Sequence, residues 1–249
     1  MNARRLIVTG AGSGIGLAVC EAATSQGWRV VGIDRDALAL DRVAGVTGGA
    51  TIVGEVTDED AVELAVDHAA ELLGGLPDAL VTAAGVYDVK PSLDVSLADF
   101  LRVLTINTAG SFLAARALVS RIRRARPASN GCSIVFLSSM AAQRGDGAEP
   151  AVAYSASKGA VEAMTRQLAV EWADLGVRVN AVSPGVIRTP MLRLMDDPAA
   201  GQRYLRESVP LSRLGTAAEV ADACLFLSDD ASGYITGAVV PVDGGATVQ

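Results

Sequence analysis

Two side chains in the run YSASKGAVEAM can move protons, Tyr154 and Lys158, four residues apart. On a helix that spacing puts both on one face. A phenol has an ordinary pKa near about 10, too high to release its proton readily at neutral pH, and a nearby ammonium favours the phenolate electrostatically. The pair could therefore serve as a general acid/base, although taken alone a Tyr and a Lys at this spacing are more often an ordinary surface contact. Other sources of acid/base chemistry are few. The one histidine, His68, lies beside Asp67 in the amphipathic run AVELAVDHAAELL, with nothing nucleophilic or metal-binding near it in sequence. Ser-His-Asp hydrolysis, Cys-His proteolysis and multi-histidine zinc sites would all have to rely on it. It is expected as a solvated helix residue, no metal site is expected, and proton transfer falls to Tyr, Lys or carboxylates.

A second constellation is TGAGSGIG at 9–16, where Gly10, Gly12, Gly14 and Gly16 follow an apolar run and open a helical pattern. Glycines allow positive φ and close approach of a phosphate, while a helix N-terminus offers unpaired N–H groups and partial positive charge. The spacing is G-x-x-x-G-x-G, not G-x-G-x-x-G, because Leu17 stands where the last glycine would fall. The strand-turn-helix context favours a dinucleotide. Asp34 closes the next apolar run, 18 residues beyond Gly16, near the offset of a carboxylate that hydrogen-bonds an adenosine 2′-hydroxyl. A 2′-phosphate would face that charge, so NAD is expected ahead of NADP. Arg35 is either a cation for such a phosphate or a solvated loop charge.

These residues need a scaffold, and the chain supplies it in alternation. Apolar, β-branched runs at 6–9, 30–34, 51–56, 79–83, 133–138, 177–183 and 238–243 are separated by helical patterns at 14–26, 36–43, 58–73, 96 to about 124, 153–175 and 217–227. Seven strands alternating with helices predict parallel βαβ units. Their near-continuous hydrophobicity suits strands buried on both faces. The expectation is a doubly wound, three-layer α/β fold over 1–249 as a single domain, with its ligand crevice at the carboxyl ends of the strands. Segments 140–152 and 189–214 exceed the length of simple connections and are expected to be substrate loops.

Composition narrows the partners. Aromatics are 4 % of the 249 residues, too few for a nucleic-acid stacking platform. A net charge of −7 repels a phosphate backbone. The one basic cluster, RIRRAR at 121–126, reads as a solvated helix C-terminus. No run approaches 18 uninterrupted apolar residues, so neither a membrane span nor a membrane partner is expected. The N-terminal run reads as a first strand, not a signal peptide. Cys20, Cys132 and Cys224 are far apart and odd in number, which implies a reducing, cytoplasmic location.

TGAGSGIG, Asp34, Asn107, SSMAA after the fifth strand, YSASK, SPGVIRTPM and PVDGG together resemble the short-chain dehydrogenase/reductase family, from residue 5 to residue 245. The resemblance implies a Rossmann-like parallel sheet of order 3-2-1-4-5-6-7 with helices on both faces. It implies four catalytic residues. Tyr154 would exchange a proton with the substrate oxygen, Lys158 would hold the nicotinamide ribose and lower the tyrosine pKa, Ser139 would hydrogen-bond the carbonyl or alkoxide, and Asn107 would anchor a water in a Lys158-linked proton relay. Ser138 is expected to be structural. Cofactor contacts would come from Gly10, Ser13, Gly14, Ile15 and Gly16 in the turn, and from Asp34 and Arg35 at the adenosine. Glu55 and Val56 would meet adenine, and Ala83, Ala84 and Gly85 would wall the adenosine side. Pro184, Gly185, Ile187 and Thr189 would lie over the nicotinamide and phosphates beside Tyr154 and Lys158. A homotetramer is implied, with the helices at 96–124 and 153–175 across one interface.

The chain departs from the family pattern in three places. Thr82-Ala83-Ala84-Gly85 stands where N-N-A-G is common, Glu55-Val56 replaces Asp-Val, and the Ser139 to Tyr154 interval is about two residues long for the family, within QRGDGAEP. The expected activity is NAD-dependent interconversion of a secondary alcohol and a ketone. The alternatives are an NADPH-dependent 3-oxoacyl-thioester reductase and a catalytically silent dinucleotide-binding scaffold. Tyr87, Met140, Gln143, Arg144, Met191, Leu192, Met195 and Tyr204 are expected to line a pocket for a medium-sized, partly apolar alcohol or ketone. Arg144 is a candidate for a substrate carboxylate, weighed against a solvated loop arginine.

Overall fold

The computed structural model describes residues 3–125, 131–147 and 149–249. Its strands are β1 (Arg5–Thr9), β2 (Arg29–Asp34), β3 (Thr51–Val53), β4 (Ala79–Thr82), β5 (Cys132–Leu137), β6 (Val177–Pro184), β7 (Ile187–Arg188), β8 (Gly215–Thr216) and β9 (Val239–Val242). Seven of them form one sheet in the order β3-β2-β1-β4-β5-β6-β9, every pairing parallel. This is the expected architecture, with β9 as the seventh strand. The short strands β7 and β8 pair with each other outside it.

Strand side chains alternate between faces, and both faces are apolar, so two cores result. On one, Ile7, Leu80, Ile134 and Phe136 pack beneath α3 (Glu59–Leu73), α5 (Gly110–Ala125) and α6 (Val152–Glu171). On the other, Leu6, Val8, Val81 and Val135 pack beneath α1 (Gly14–Ser25), α2 (Ala37–Thr47) and α8 (Ala217–Ser228). The strand order reverses between β1 and β4, and the crevice at a doubly wound sheet's carboxyl edge opens at such a point.

Helix starts follow capping chemistry. The carboxylates of Asp36 and Asp58 accept N–H bonds at the starts of α2 and α3, and Thr216 with Glu219 forms a capping box on α8. The segment expected as one helix at 96–124 is α4 (Leu97–Leu104), a π turn over Thr105–Ala109, then α5. By length and composition alone this stretch could cross a membrane, but half of its most apolar window is buried inside the fold.

Several expectations are corrected. The run at 51–56 pairs only as far as Val53, and Gly54 N–H instead bonds the Asp34 carbonyl. The supposed loop 189–214 contains α7 (Pro198–Ser208), capped by the Asp197 carboxylate, with Pro198 in its first turn. Arg121 is not solvated. It is buried, donates to the carbonyls of Ala117 and Glu63 and pairs with the Asp67 carboxylate, tying α5 to α3. Arg123 and Arg124 are exposed as expected, and Arg126 lies outside the described residues. His68 is exposed on α3.

Candidate active site

The turn after β1 is wedged against the end of β4. Gly10 has φ +66°, and a Cβ there would lie 2.4 Å from the Ala84 nitrogen. At Gly16 a Cβ would meet the Gly10 carbonyl oxygen at 2.1 Å, so only glycine lets α1 start this close beneath the strand. Ser13 takes the N-cap position of α1 without a side-chain capping bond, and no acidic residue occupies the first turn. The helix start thus faces the crevice with N–H groups suited to an anion.

Asp34 ends β2 beside this turn. Its Oδ2 accepts from Gly12 N–H at 2.9 Å and its Oδ1 from Asp36 N–H at 3.0 Å, so the backbone fixes the carboxylate's direction. Arg35 is exposed, with its guanidinium 3.7 Å from the Glu55 carboxylate. Arg42 on α2, which sequence reading passed over, donates to the Gly12 carbonyl at 3.2 Å and lines the same cleft. Its position two turns into the helix after Asp34 was the available signal. Val56 is buried against α5, where a Cβ on Gly110 would come within 2.8 Å of it.

At the other end of the cleft, α6 presents Tyr154 and Lys158. Lys158 Nζ donates to the Leu137 carbonyl at 2.7 Å and lies 5.6 Å from the Tyr154 ring centre. Burial pushes the Lys158 ammonium down to about 8. Burial also raises the Tyr154 phenol above its ordinary value, opposed by a hydrogen bond with the Ser139 hydroxyl. The downward shift expected from Lys158 is therefore corrected: burial sets the direction, and the group that opposes it is Ser139. Ser139 caps the short turn Met140–Ala142, its Oγ accepting from Ala141 N–H at 3.2 Å. Ser138 is buried and donates to Glu162 at 3.1 Å, the structural part expected of it. Gln143, expected in the pocket, instead donates to the same Glu162 oxygen at 3.0 Å.

Asn107 lies in the π turn, fully buried. Its amide accepts from Val86 N–H at 2.8 Å and donates to the Val86 carbonyl and to Ser157 Oγ, both at 3.0 Å. The side chain thus locks the segment after Gly85 to α6. A Cβ on Gly85 would lie 3.2 Å from Asn107 Oδ1 and 3.9 Å from Lys158 Nζ, which places the three together. Pro184 ends β6. Gly185 is pressed on the returning PVDGG segment, where a Cβ would come within 2.6 Å of Asp243 Cα.

Tyr154, Lys158 and Ser139 open onto a cleft that includes Tyr87, Met140, Arg144, Met191 and Leu192 from the expected pocket, together with Pro184, Gly185 and Ile187. Arg144 is half-buried in the lining of this cleft, and one end of its guanidinium donates to the Ala246 carbonyl at 2.7 Å. Met195 packs in a small core with Leu205 and Val209. Tyr204 reaches the rim, donating to Asp146 at 2.5 Å. Ile15, Ala83, Gly85, Val86, Thr189 and Met191 belong both to this cleft and to the one beside the glycine turn, so the two are continuous.

A glycine turn opening a helix and a backbone-fixed carboxylate at one end, with a Tyr-Lys-Ser trio at the other, mark a nicotinamide dinucleotide oxidoreductase. The family model described as Enoyl-(Acyl carrier protein) reductase matches residues 10–247. A galactitol 2-dehydrogenase (L-tagatose-forming) of Cereibacter sphaeroides is 43 % identical over 97 % of this chain and 94 % of its own. A D-threitol dehydrogenase of Mycolicibacterium smegmatis is 35 % identical over 100 % of this chain and 95 % of its own. The crystal structure of a short-chain type dehydrogenase/reductase from Mycobacterium marinum superposes with a TM-score of 0.89 at 34 % identity, covering 99 % and 96 % of the two chains. The chain belongs to the short-chain dehydrogenase/reductase family, and it is an oxidoreductase that interconverts secondary alcohols and ketones.

Proposed function

We propose that this chain is an NAD-dependent dehydrogenase of small polyols, with Tyr154 as the general acid/base. The observation that carries the reading is the continuity of the two clefts, one ending at Asp34 and the other at Tyr154. The site fits NAD: a glycine cradle that a Cβ would fill, an uncapped helix start for the phosphates, and a carboxylate already aimed by two backbone N–H groups. Gly10, Ser13, Gly14, Ile15 and Gly16 would hold the pyrophosphate, Asp34 the adenosine ribose, and Val56 with Ala83 to Gly85 the adenine side. Pro184, Gly185, Ile187 and Thr189 would cover the nicotinamide.

When bound, NAD accepts the hydride released from the carbinol carbon. Tyr154 takes the proton from the substrate hydroxyl in oxidation and returns it in reduction. Ser139 donates to the same oxygen and holds it before Tyr154. Lys158, fixed on the Leu137 carbonyl 5.6 Å from the Tyr154 ring centre, would favour the ionised phenol while it keeps its own charge. Asn107 acts through position, keeping Gly85 and α6 in register.

The polyol assignment rests on the galactitol and threitol relatives and on the character of the substrate end, where Asp146 and Glu149 line the cleft with Tyr154. Those carboxylates disfavour the anionic acyl-thioester substrate of the alternative reductase. We further read the chain as one dinucleotide-binding unit that assembles as a homotetramer. Cys20, Cys132 and Cys224 are buried free thiols, each pushed up to about 12 by burial, and so suited to the reducing cytoplasm. The test is reduction of NAD and of NADP by galactitol and D-threitol, followed at the absorbance of the reduced nicotinamide. Turnover with NAD at least about tenfold faster than with NADP is expected, with the gap narrowing in Asp34→Ala. A preference for NADP, or no oxidation of either polyol, contradicts the reading.

A further inference from the structure

Beside Tyr154, the cleft contains a contact that the reaction as described does not use. Tyr87 lies edge-on to Tyr154, with ring centres 4.7 Å apart and planes at 75°. Its hydroxyl donates to Glu149 Oε2 at 2.8 Å. Burial and the neighbouring Glu149 carboxylate raise the Tyr87 phenol well above its ordinary value, so Tyr87 stays protonated and donates to Glu149. Of the two adjacent phenols, Tyr87 is the one committed to a carboxylate. Glu149 is carried by the loop before α6, and both Glu149 and Tyr87 line the cleft with Tyr154 and Ser139.

A carboxylate held in this way accepts hydrogen bonds and donates none. Tyr87 occupies one oxygen and leaves acceptor capacity on the other. In this half-buried position beside Tyr154, the group best matched to it is a neutral hydroxyl. A bound alcohol without such a hydroxyl would leave the second carboxylate oxygen without a donor from the substrate, and a site built to bond a substrate OH rejects the analogue lacking it for that reason.

We propose that Glu149, oriented by Tyr87, is a specificity-determining residue that accepts a hydrogen bond from a polyol hydroxyl beyond the carbon being oxidised. This rests on the polyol reading above and assigns the residue that enforces it. Tyr87 is a positioning residue, because it acts through Glu149.

D-threitol and butan-2-ol share a four-carbon skeleton and differ by three hydroxyl groups, so the ratio of their kcat/KM values isolates recognition of the extra hydroxyls. In Glu149→Leu this ratio should fall by about tenfold or more, through a higher KM for threitol more than a lower kcat. Glu149→Gln, which keeps an acceptor oxygen, should lose less, and Tyr87→Phe, which keeps the ring on Tyr154 but releases Glu149, should fall between wild type and Glu149→Leu. A ratio within twofold of wild type in both Glu149 variants, or equal losses on the two alcohols, overturns the assignment while leaving polyol oxidation standing. Failure of the wild-type enzyme to oxidise threitol or galactitol, while it oxidises butan-2-ol, overturns the polyol reading itself and the assignment with it.

Discussion

Lys158 and Tyr154 share one buried wall, and removal from water acts on them in opposite senses: the ammonium falls to about 8 while the phenol rises. Each shift disfavours the charged form. Below about pH 8 Lys158 keeps its charge, and Tyr154 gains base character as pH rises. The rate of alcohol oxidation should therefore climb on the alkaline side of neutrality, with no inflection near about pH 6.5, where a histidine would titrate. His68, exposed on α3, should be replaceable by Gln with a rate within about twofold of wild type. A pH-rate profile of both forms checks this, and an inflection abolished by the substitution would show a proton carrier other than Tyr154. The identities of these residues were legible in YSASK and SSMAA, but the direction of the tyrosine shift was not. It depends on how completely the fold buries the phenol, which spacing along a helix does not report.

Elements carry the positioning. The π turn over Thr105–Ala109 inserts Asn107 between Val86 and Ser157, joining the segment after β4 to α6. Removing that amide leaves buried partners unpaired, so Asn107→Ala should lose roughly 3 kcal/mol of stability, read from denaturant unfolding, together with a fall in kcat. Unchanged stability would mean that the bonds to Val86 and Ser157 are not what holds this junction. Sequence periodicity runs through the π turn as if it were α-helix, because the apolar face continues on both sides, so the bulge was invisible there. The strands and most helices were visible, since parallel strands buried on both faces leave uninterrupted apolar runs and caps such as Asp58 mark helix starts. Helix α7 was missed although Asp197-Pro198 is a cap followed by a first-turn proline. Its exposed, polar sequence gave too little apolar periodicity to outweigh the loop reading.

For the whole molecule, the sheet order and the reversal between β1 and β4 put every candidate group at one edge, and the glycine turn, Asp34 and the catalytic motif were all readable before the fold was known. Assembly is the level at which surface chemistry adds information. Leu97 and Leu101 on α4 and Val170 on α6 are exposed apolar side chains on the helices that the family resemblance assigns to an interface. Light scattering should give four times the chain mass, and Leu97→Glu with Leu101→Glu should lower it. A wild-type monomer at micromolar concentration would contradict the tetramer.

Tyr154 is the group proposed to move the proton, while the rest of the cleft binds. The most direct test of this role is Tyr154→Phe, assayed in parallel for NAD binding by fluorescence quenching and for turnover of galactitol. Turnover should fall by about a thousandfold or more, with NAD affinity within about threefold of wild type. Turnover that survives the loss of the hydroxyl would remove Tyr154 from the chemistry and contradict the account.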